Sequence, residues 1–239
     1  MTLLAAMALS TRHACAASLP PSQPFVLADC LAVLDEDPEN LEDYLTAHAS
    51  RGQERSVQHC RAVAGALTGK AAEAAAQLDT LAQTPAPRSS ETDMDDDSLD
   101  ERANVAEDAA RAWLAAGDAA QAERSAHYGL GLTPLSVTLQ LLRDRAWLLM
   151  GDNAEALKNL TALAGNPVLA AETHRLKAMA EVQANNLAAA DQDINVTLRD
   201  EPDDPAALLE RGIIRQRMND MKGARSDWEQ VVDLAPASR

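Results

Sequence analysis

Ala112-Trp113-Leu114-Ala115-Ala116-Gly117-Asp118-Ala119-Ala120-Gln121-Ala122 is echoed 34 residues later by Ala146-Trp147-Leu148-Leu149-Met150-Gly151-Asp152-Asn153-Ala154-Glu155-Ala156. Self-similarity at a fixed period is the mark of a stacked-repeat architecture, in which each unit buries its apolar face only against its neighbours. The phase continues through Asn185-Asn186 and Ala190, then Asn219-Asp220 and Ala224, so residues 103–238 hold four 34-residue units without insertion or deletion.

Each unit reads as two helices joined by a short turn. The turn carries Gly or Asn, which tolerate the left-handed conformation that ends a helix, and then a polar residue able to cap the next one. The Ala five residues after that Gly or Asn marks a close helix approach, where a larger side chain would force the pair apart. Pro134, Pro167, Pro202 and Pro236 punctuate the unit ends, and Asp204-Pro205 is a strong helix start. Backwards extension of the phase gives a fifth unit at 55–88, with Ala62, Gly69-Lys70, Ala74, Leu78 and Pro85. An acidic insertion, 89–102, separates it from the other four, with Ser98 and Glu101 forming a capping box for the helix that follows. Residues 18–54 read as an atypical helical segment, broken at Asp37-Pro38, that caps the N-terminal end of the stack.

Composition agrees with an all-α chain. One Phe, two Tyr and three Trp are too few for a sandwich or α/β core, whereas abundant Ala with Leu at intervals suits close helix packing. A formal charge of -16 repels nucleic-acid phosphates and anionic lipid headgroups. No apolar run approaches the roughly 20 residues of a membrane-spanning helix.

The unit pattern resembles the tetratricopeptide repeat family. That family places a small residue at position 8, an aromatic at 11, Ala at 20, a large apolar residue at 24 and Pro near 32. Unit 103–136 supplies Ala110, Trp113, Ala122, Ala126 and Pro134; unit 137–170 supplies Trp147, Ala156 and Leu160, with Asp144 where a small residue belongs. Unit 171–204 offers Ala178, Ala190, Ile194 and Pro202 with Glu181 in the aromatic's place, and the last unit offers Gly212, Ala224, Trp228 and Pro236 with Arg215 there. The resemblance implies a right-handed superhelical α-solenoid of antiparallel helix pairs with a concave groove.

Residues 1–17 have the form of a secretory signal: an apolar stretch from Met1 to Leu9, then Ala14-Cys15-Ala16, a small-x-small cleavage pattern. Arg12 and His13 are unusual there, and the alternative is a frayed Ala-rich terminus. Export predicts a periplasmic or secreted protein that retains Cys30 and Cys60, an even pair for an oxidising compartment. A bridge between them would add about 3 to 4 kcal/mol on the chain-entropy model. The competing reading is two buried thiols and a cytoplasmic location.

Enzyme signatures are missing. The five His residues show no i, i+4 pairing of the H-E-x-x-H kind, and no phosphate loop, nucleophile elbow or dinucleotide fingerprint occurs. Asp93, Asp95 and Asp97 begin a calcium loop that Ser98 and Asn104 fail to complete. Asn159-Leu160-Thr161 and Asn195-Val196-Thr197 fit the glycosylation sequon yet fall inside second helices. No cofactor or metal is expected.

In the family, positions 2, 5, 9, 12 and 13 of each first helix line the concave surface. Carried onto this sequence they include Arg111, Leu114, Leu141, Arg145, Leu148, Arg175, Met179, Val182, Leu209, Ile213 and Arg217. Four Arg against Glu107 and Glu172 make this surface basic on an acidic protein. Such a groove suits a protein or peptide segment with aliphatic anchors and carboxylates. The bland alternative packs the Leu and Met side chains against the next unit under the Arg stems. The Lys and Asn clamp of the heat-shock co-chaperone branch is absent. Two roles follow: a scaffold that binds a segment in the groove, or a structural or regulatory subunit of a larger complex. In the second role contacts run through the solenoid ends, including a C-terminal face that no further polar helix covers.

Overall fold

The computed structural model describes residues 25–49, 53–85 and 99–234. The expected signal at 1–17, residues 89–98 of the acidic insertion with its three alternate Asp residues, and Pro236 lie outside the described residues. Among the described residues every regular element is a helix.

The N-terminal cap is α1 (Leu27–Glu36), one 3-10 turn (Pro38–Asn40) and α2 (Leu41–Ala49). Five helix pairs follow: α3 (Glu54–Leu67) with α4 (Ala71–Gln83), α5 (Leu99–Ala115) with α6 (Ala119–Leu132), and α7 (Val137–Met150) with α8 (Asn153–Leu163). The last two are α9 (Ala170–Gln183) with α10 (Leu187–Asp200), and α11 (Pro205–Arg217) with α12 (Met221–Leu234). Helix α5 begins at Leu99, so the last four residues of the 89–102 stretch are its first turn.

The turn within every pair is built alike. Gly69, Gly117, Gly151, Asn185 and Asn219 share one register position and all have positive φ, between 60° and 95°. In each case the next amide donates back five residues, as in Asp118 N to Trp113 O at 3.0 Å and Asn186 N to Glu181 O at 2.8 Å. This arrangement satisfies carbonyls that the helix end leaves open. Five residues further on, Ala74, Ala122, Ala156, Ala190 and Ala224 are all buried, as the close-approach reading requires. The caps expected at Asp118 and Asp204 form, their carboxylates accepting from Gln121 N at 3.1 Å and Ala206 N at 2.9 Å, whereas Asp152 and Asn186 make no side-chain cap bond.

One unit departs from the rule at its end. Helix α8 stops at Leu163, three residues earlier in register than α6, α10 and α12. Pro167 disfavours a helical Asn166, whose side chain accepts from Val168 N at 2.9 Å. Leu169 then enters the left-handed region at φ 55° before α9 starts.

Each helix packs on the next in sequence, and the first helices also touch their counterparts: α3 with α5, α5 with α7, α7 with α9, and α9 with α11. The second helices make no comparable contact with one another. First helices that approach while second helices splay curve the stack, with the first-helix layer on the inside. The cap sits on α3 through Cys30, Leu41, Leu45, Val57 and Cys60. Cys30 and Cys60 form a disulfide, both residues fully buried, with Cα atoms 6.4 Å apart. No helix among the described residues is long and apolar enough to cross a membrane.

Candidate functional site: the concave first-helix face

The inner face of the stack separates the expected groove residues into three groups. Arg111, Arg145, Leu209, Ile213 and Arg217 are exposed, with Leu209 at 47% and Ile213 at 42%. Leu114, Arg175, Met179 and Val182 are half-buried. Leu141 and Leu148 correct the expectation. Both are buried in the core of the α7–α8 unit with Leu160 and Leu176, because the next first helix, α9, closes over them.

Between α9 and α11 the face opens into a small apolar cleft of about 180 Å³, lined by Met179, Val182, Ile213 and Ile214 with Gln183 and Glu210 at its rim. A cleft this size admits one aliphatic side chain, not a drug-sized molecule. Leu209 flanks it on α11, and Leu149 on α7 adds a further exposed apolar side chain, at 61%.

The charge pattern is also corrected. Arg111 pairs with Glu107 at 2.7 Å along its own helix. Arg175 is held by Glu172 at 2.8 Å and by Glu210 of α11 at 2.6 Å, so this trio carries a net negative charge. Burial raises the pKa of Glu210, against the pull of Arg175. Arg217 donates to Val182 O at 2.9 Å and to Asn185 Oδ1 at 3.1 Å, which ties the end of α11 to the turn after α9. Of the four groove arginines, only Arg145 has no hydrogen-bond or ion-pair partner among the described residues. The face is therefore apolar with a single unpaired Arg, not a basic strip.

No family model matches the chain, and no curated protein matches it by sequence. Solved structures do match. A tetratricopeptide repeat protein from Parabacteroides merdae ATCC 43184 superposes with a TM-score of 0.65 at 15% identity, over 87% of this chain and 77% of that one. MamA (residues 41 to end) from Desulfovibrio magneticus RS-1 superposes with a TM-score of 0.56 at 17% identity, over 77% of this chain and 96% of that one. The chain has the tetratricopeptide-repeat fold.

Within that fold, the departures from the repeat pattern are where interior charge enters. Asp144, in place of a small residue, is fully buried and accepts from Asn159 Nδ2 at 2.7 Å, while its other oxygen has no partner. Burial pushes its pKa up to about 7, although Asn159 and Arg143 pull the other way. Glu181, in place of the aromatic, is likewise raised to about 7, by burial first and then by the nearby Asp193 carboxylate. Lys177 and His174 hold Asp193, each at 2.6 Å, and Asp193 is depressed because the bonds from Lys177 and His174 outweigh burial. Arg215, also in the aromatic's place, joins Arg211 on Asp227, at 2.9 and 2.7 Å.

Sequence reading passed over these clusters because it searched for partners within one helix. The usable signal was register: Asn159, Asp193 and Asp227 all stand at position 23, on the second helix facing the odd residue. His59 was passed over for the same reason. It bonds Asp108 of α5 at 2.7 Å and lies 3.8 Å from Glu101. Burial opposes its charge, but the bonds to Asp108 and Glu101 prevail and raise its pKa to about 9. Among the described residues no group of three or more His, Cys, Asp or Glu side chains is placed to hold a metal ion.

Proposed function

We propose that the protein is a non-enzymatic scaffold that holds a segment of another protein against its concave face. Aliphatic side chains of the segment enter the cleft between α9 and α11, and a carboxylate reaches Arg145. The carrying observation is that cleft: Met179, Val182 and Ile213 form an apolar opening, with Leu209 exposed beside it, on the one layer where first helices converge. Tetratricopeptide-repeat neighbours support the reading at the level of fold. Export to the bacterial periplasm belongs to the same proposal. The Cys30–Cys60 bridge supports it, because such bridges persist in oxidising compartments.

The test is selection of a random peptide display library on the purified protein, followed by titration of the selected peptides against variants. Ile213→Asp and Arg145→Glu are each expected to weaken binding about tenfold or more. Selection of no peptide, or of peptides bound equally by both variants, contradicts the proposal. Osmotic-shock fractionation of the native host tests location, and recovery with cytoplasmic markers would refute export.

A further inference from the structure

One joint of the stack holds a cation that the shared register leaves without a partner. Position 7 of a first helix stands between position 23 of its own second helix and position 25 of the second helix before it. At the last two joints a cation at position 7 is met there. Lys177 pairs with Asp193 at 2.6 Å, and Arg211 pairs with Asp227 at 2.7 Å while donating to Asn195 at 3.0 Å.

The joint between α6 and α7 breaks this rule. Arg143 stands at position 7, but position 25 is His127, and position 23 is Asn159, whose amide donates to Asp144 at 2.7 Å. Arg143 is half-buried and makes no hydrogen bond or ion pair among the described residues, and its Nε is shut off from water without an acceptor. Its guanidinium lies over the Trp147 ring at 4.6 Å, a contact that positions it without satisfying its N–H donors. Asp144 is near enough for Arg143 to pull on its pKa, yet burial outweighs that pull and holds it at about 7.

Beside the α6–α7 connection is a cavity of about 380 Å³ lined by His127, Leu130, Gly131, Pro134, Gln140 and Arg143. No carboxylate is among these lining residues, on a chain whose net charge is -16. Gln140 donates one N–H to Pro134 O at a long 3.4 Å, which leaves the second N–H of its amide over. His127 is exposed and carries an N–H donor in either tautomer. Three donor-bearing side chains thus line one cavity, and Leu130 and Pro134 give it an apolar wall.

We propose that this cavity binds a small organic oxyanion, a carboxylate or phosphate group borne on a short aliphatic body. Arg143 pairs with two of its oxygens, Gln140 and His127 donate to the same group, and the body rests on Leu130 and Pro134. The ligand supplies at this joint the negative charge that Asp193 and Asp227 supply at the next two. The site uses no residue of the concave groove and is independent of the reading above.

The test is a titration of the isotope-labelled protein with butyrate and, separately, with ethyl phosphate, chloride holding the ionic strength constant. Binding is read at the Trp147 indole N–H resonance, and helix content is checked by circular dichroism. A saturable shift with about millimolar affinity is expected. Arg143→Met, which keeps the stem but removes the donors, should weaken it about tenfold or more. His127→Asp is an exposed change that puts a carboxylate at position 25, where Asp79 stands one joint earlier; it should pair Arg143 internally and abolish the shift. Response to butyrate alone names a carboxylate and response to ethyl phosphate alone names a phosphate, and each supports the proposal. No saturable shift with either probe overturns it, as does a shift that His127→Asp and Arg143→Met leave unchanged.

Discussion

The interiors of the first two helix pairs and the last two obey the same register but differ in chemistry. Around α4 and α5 the core is Ala62, Ala75, Leu78, Leu81, Val105, Ala106 and Ala109, with polar contacts at Asp79, Ser125 and Trp113 and an ion pair that joins two units, His59 of α3 with Asp108 of α5, but none enclosed within a pair. In the α9–α10 and α11–α12 pairs, Glu181 and Arg215 replace the aromatic, and each pair encloses an ionic cluster. The lesson is that the turn and the small residue at position 20 fix the repeat. Position 11 admits a charged residue type in both pairs, but by different means: Arg215 is paired by Asp227 at position 23, whereas Glu181, raised by burial and by Asp193 at position 23, has Lys177 of its own helix 3.5 Å away.

The largest break in this comparison is Asp227→Ala. It strands Arg211 and Arg215 inside the last pair and should cost about 3 kcal/mol, reduced from the upper end because both guanidinium groups keep some solvent contact. Ser125→Ala, at the same register position in the apolar half, should cost about 1 kcal/mol. Equal losses of thermal stability for the two would remove the distinction. Disulfide removal by Cys30→Ser with Cys60→Ser should cost about 3 kcal/mol and be confined to the cap, measured as amide-exchange protection lost from α1 and α2 but kept in α9 and α11.

Gly212→Ala is expected to cost about 1 to 3 kcal/mol, because the new Cβ runs into the Trp228 indole. Gly117→Ala, whose Cβ meets open space, is opposed only by its φ of 79° and should cost about 1 kcal/mol. Chemical denaturation ranks the pair, and the reverse order would show that the turns, not the packing, limit stability.

The comparison can also be sharpened by pH. Asp144 and Glu181 have folded pKa values raised to about 7 from 3.8 and 4.5. Their contribution is complete below the unfolded values and is lost as pH rises to about 7, so charging them loosens the α7–α8 and α9–α10 pairs. Asp193, depressed in the fold, acts oppositely at low pH. His59, raised from 6.5 to about 9, holds α3 to α5 and loses its contribution as pH rises through about 9. Between pH 5 and 8 the unfolding midpoint should therefore fall, and Asp144→Asn with Glu181→Gln should flatten that slope. His59→Gln should cost stability most below about pH 6.5 and flatten the slope only above it. An unchanged slope in the double variant would mean that neither carboxyl titrates in this range.

The repeat was legible because its markers are local. Gly69, Gly117, Gly151, Asn185 and Asn219 each announce a left-handed turn, and the alanines that follow announce a close approach. The candidate site was less legible, since its chemistry depends on neighbours in other helices. Nothing near Arg175 in sequence reveals Glu210, and nothing near Leu141 reveals that α9 covers it. Leu169 at φ 55° follows from the early Pro167, but only once the shortened α8 is seen.

The first-helix face is the surface proposed to receive the partner. The most direct test is hydroxyl-radical footprinting of side chains with a selected peptide at saturation. Protection of Met179, Leu209 and Ile213, with Met221 on α12 still reactive, is the predicted result. Protection confined to second-helix residues or to the ends of the stack, with Met179 and Ile213 unchanged, would contradict it.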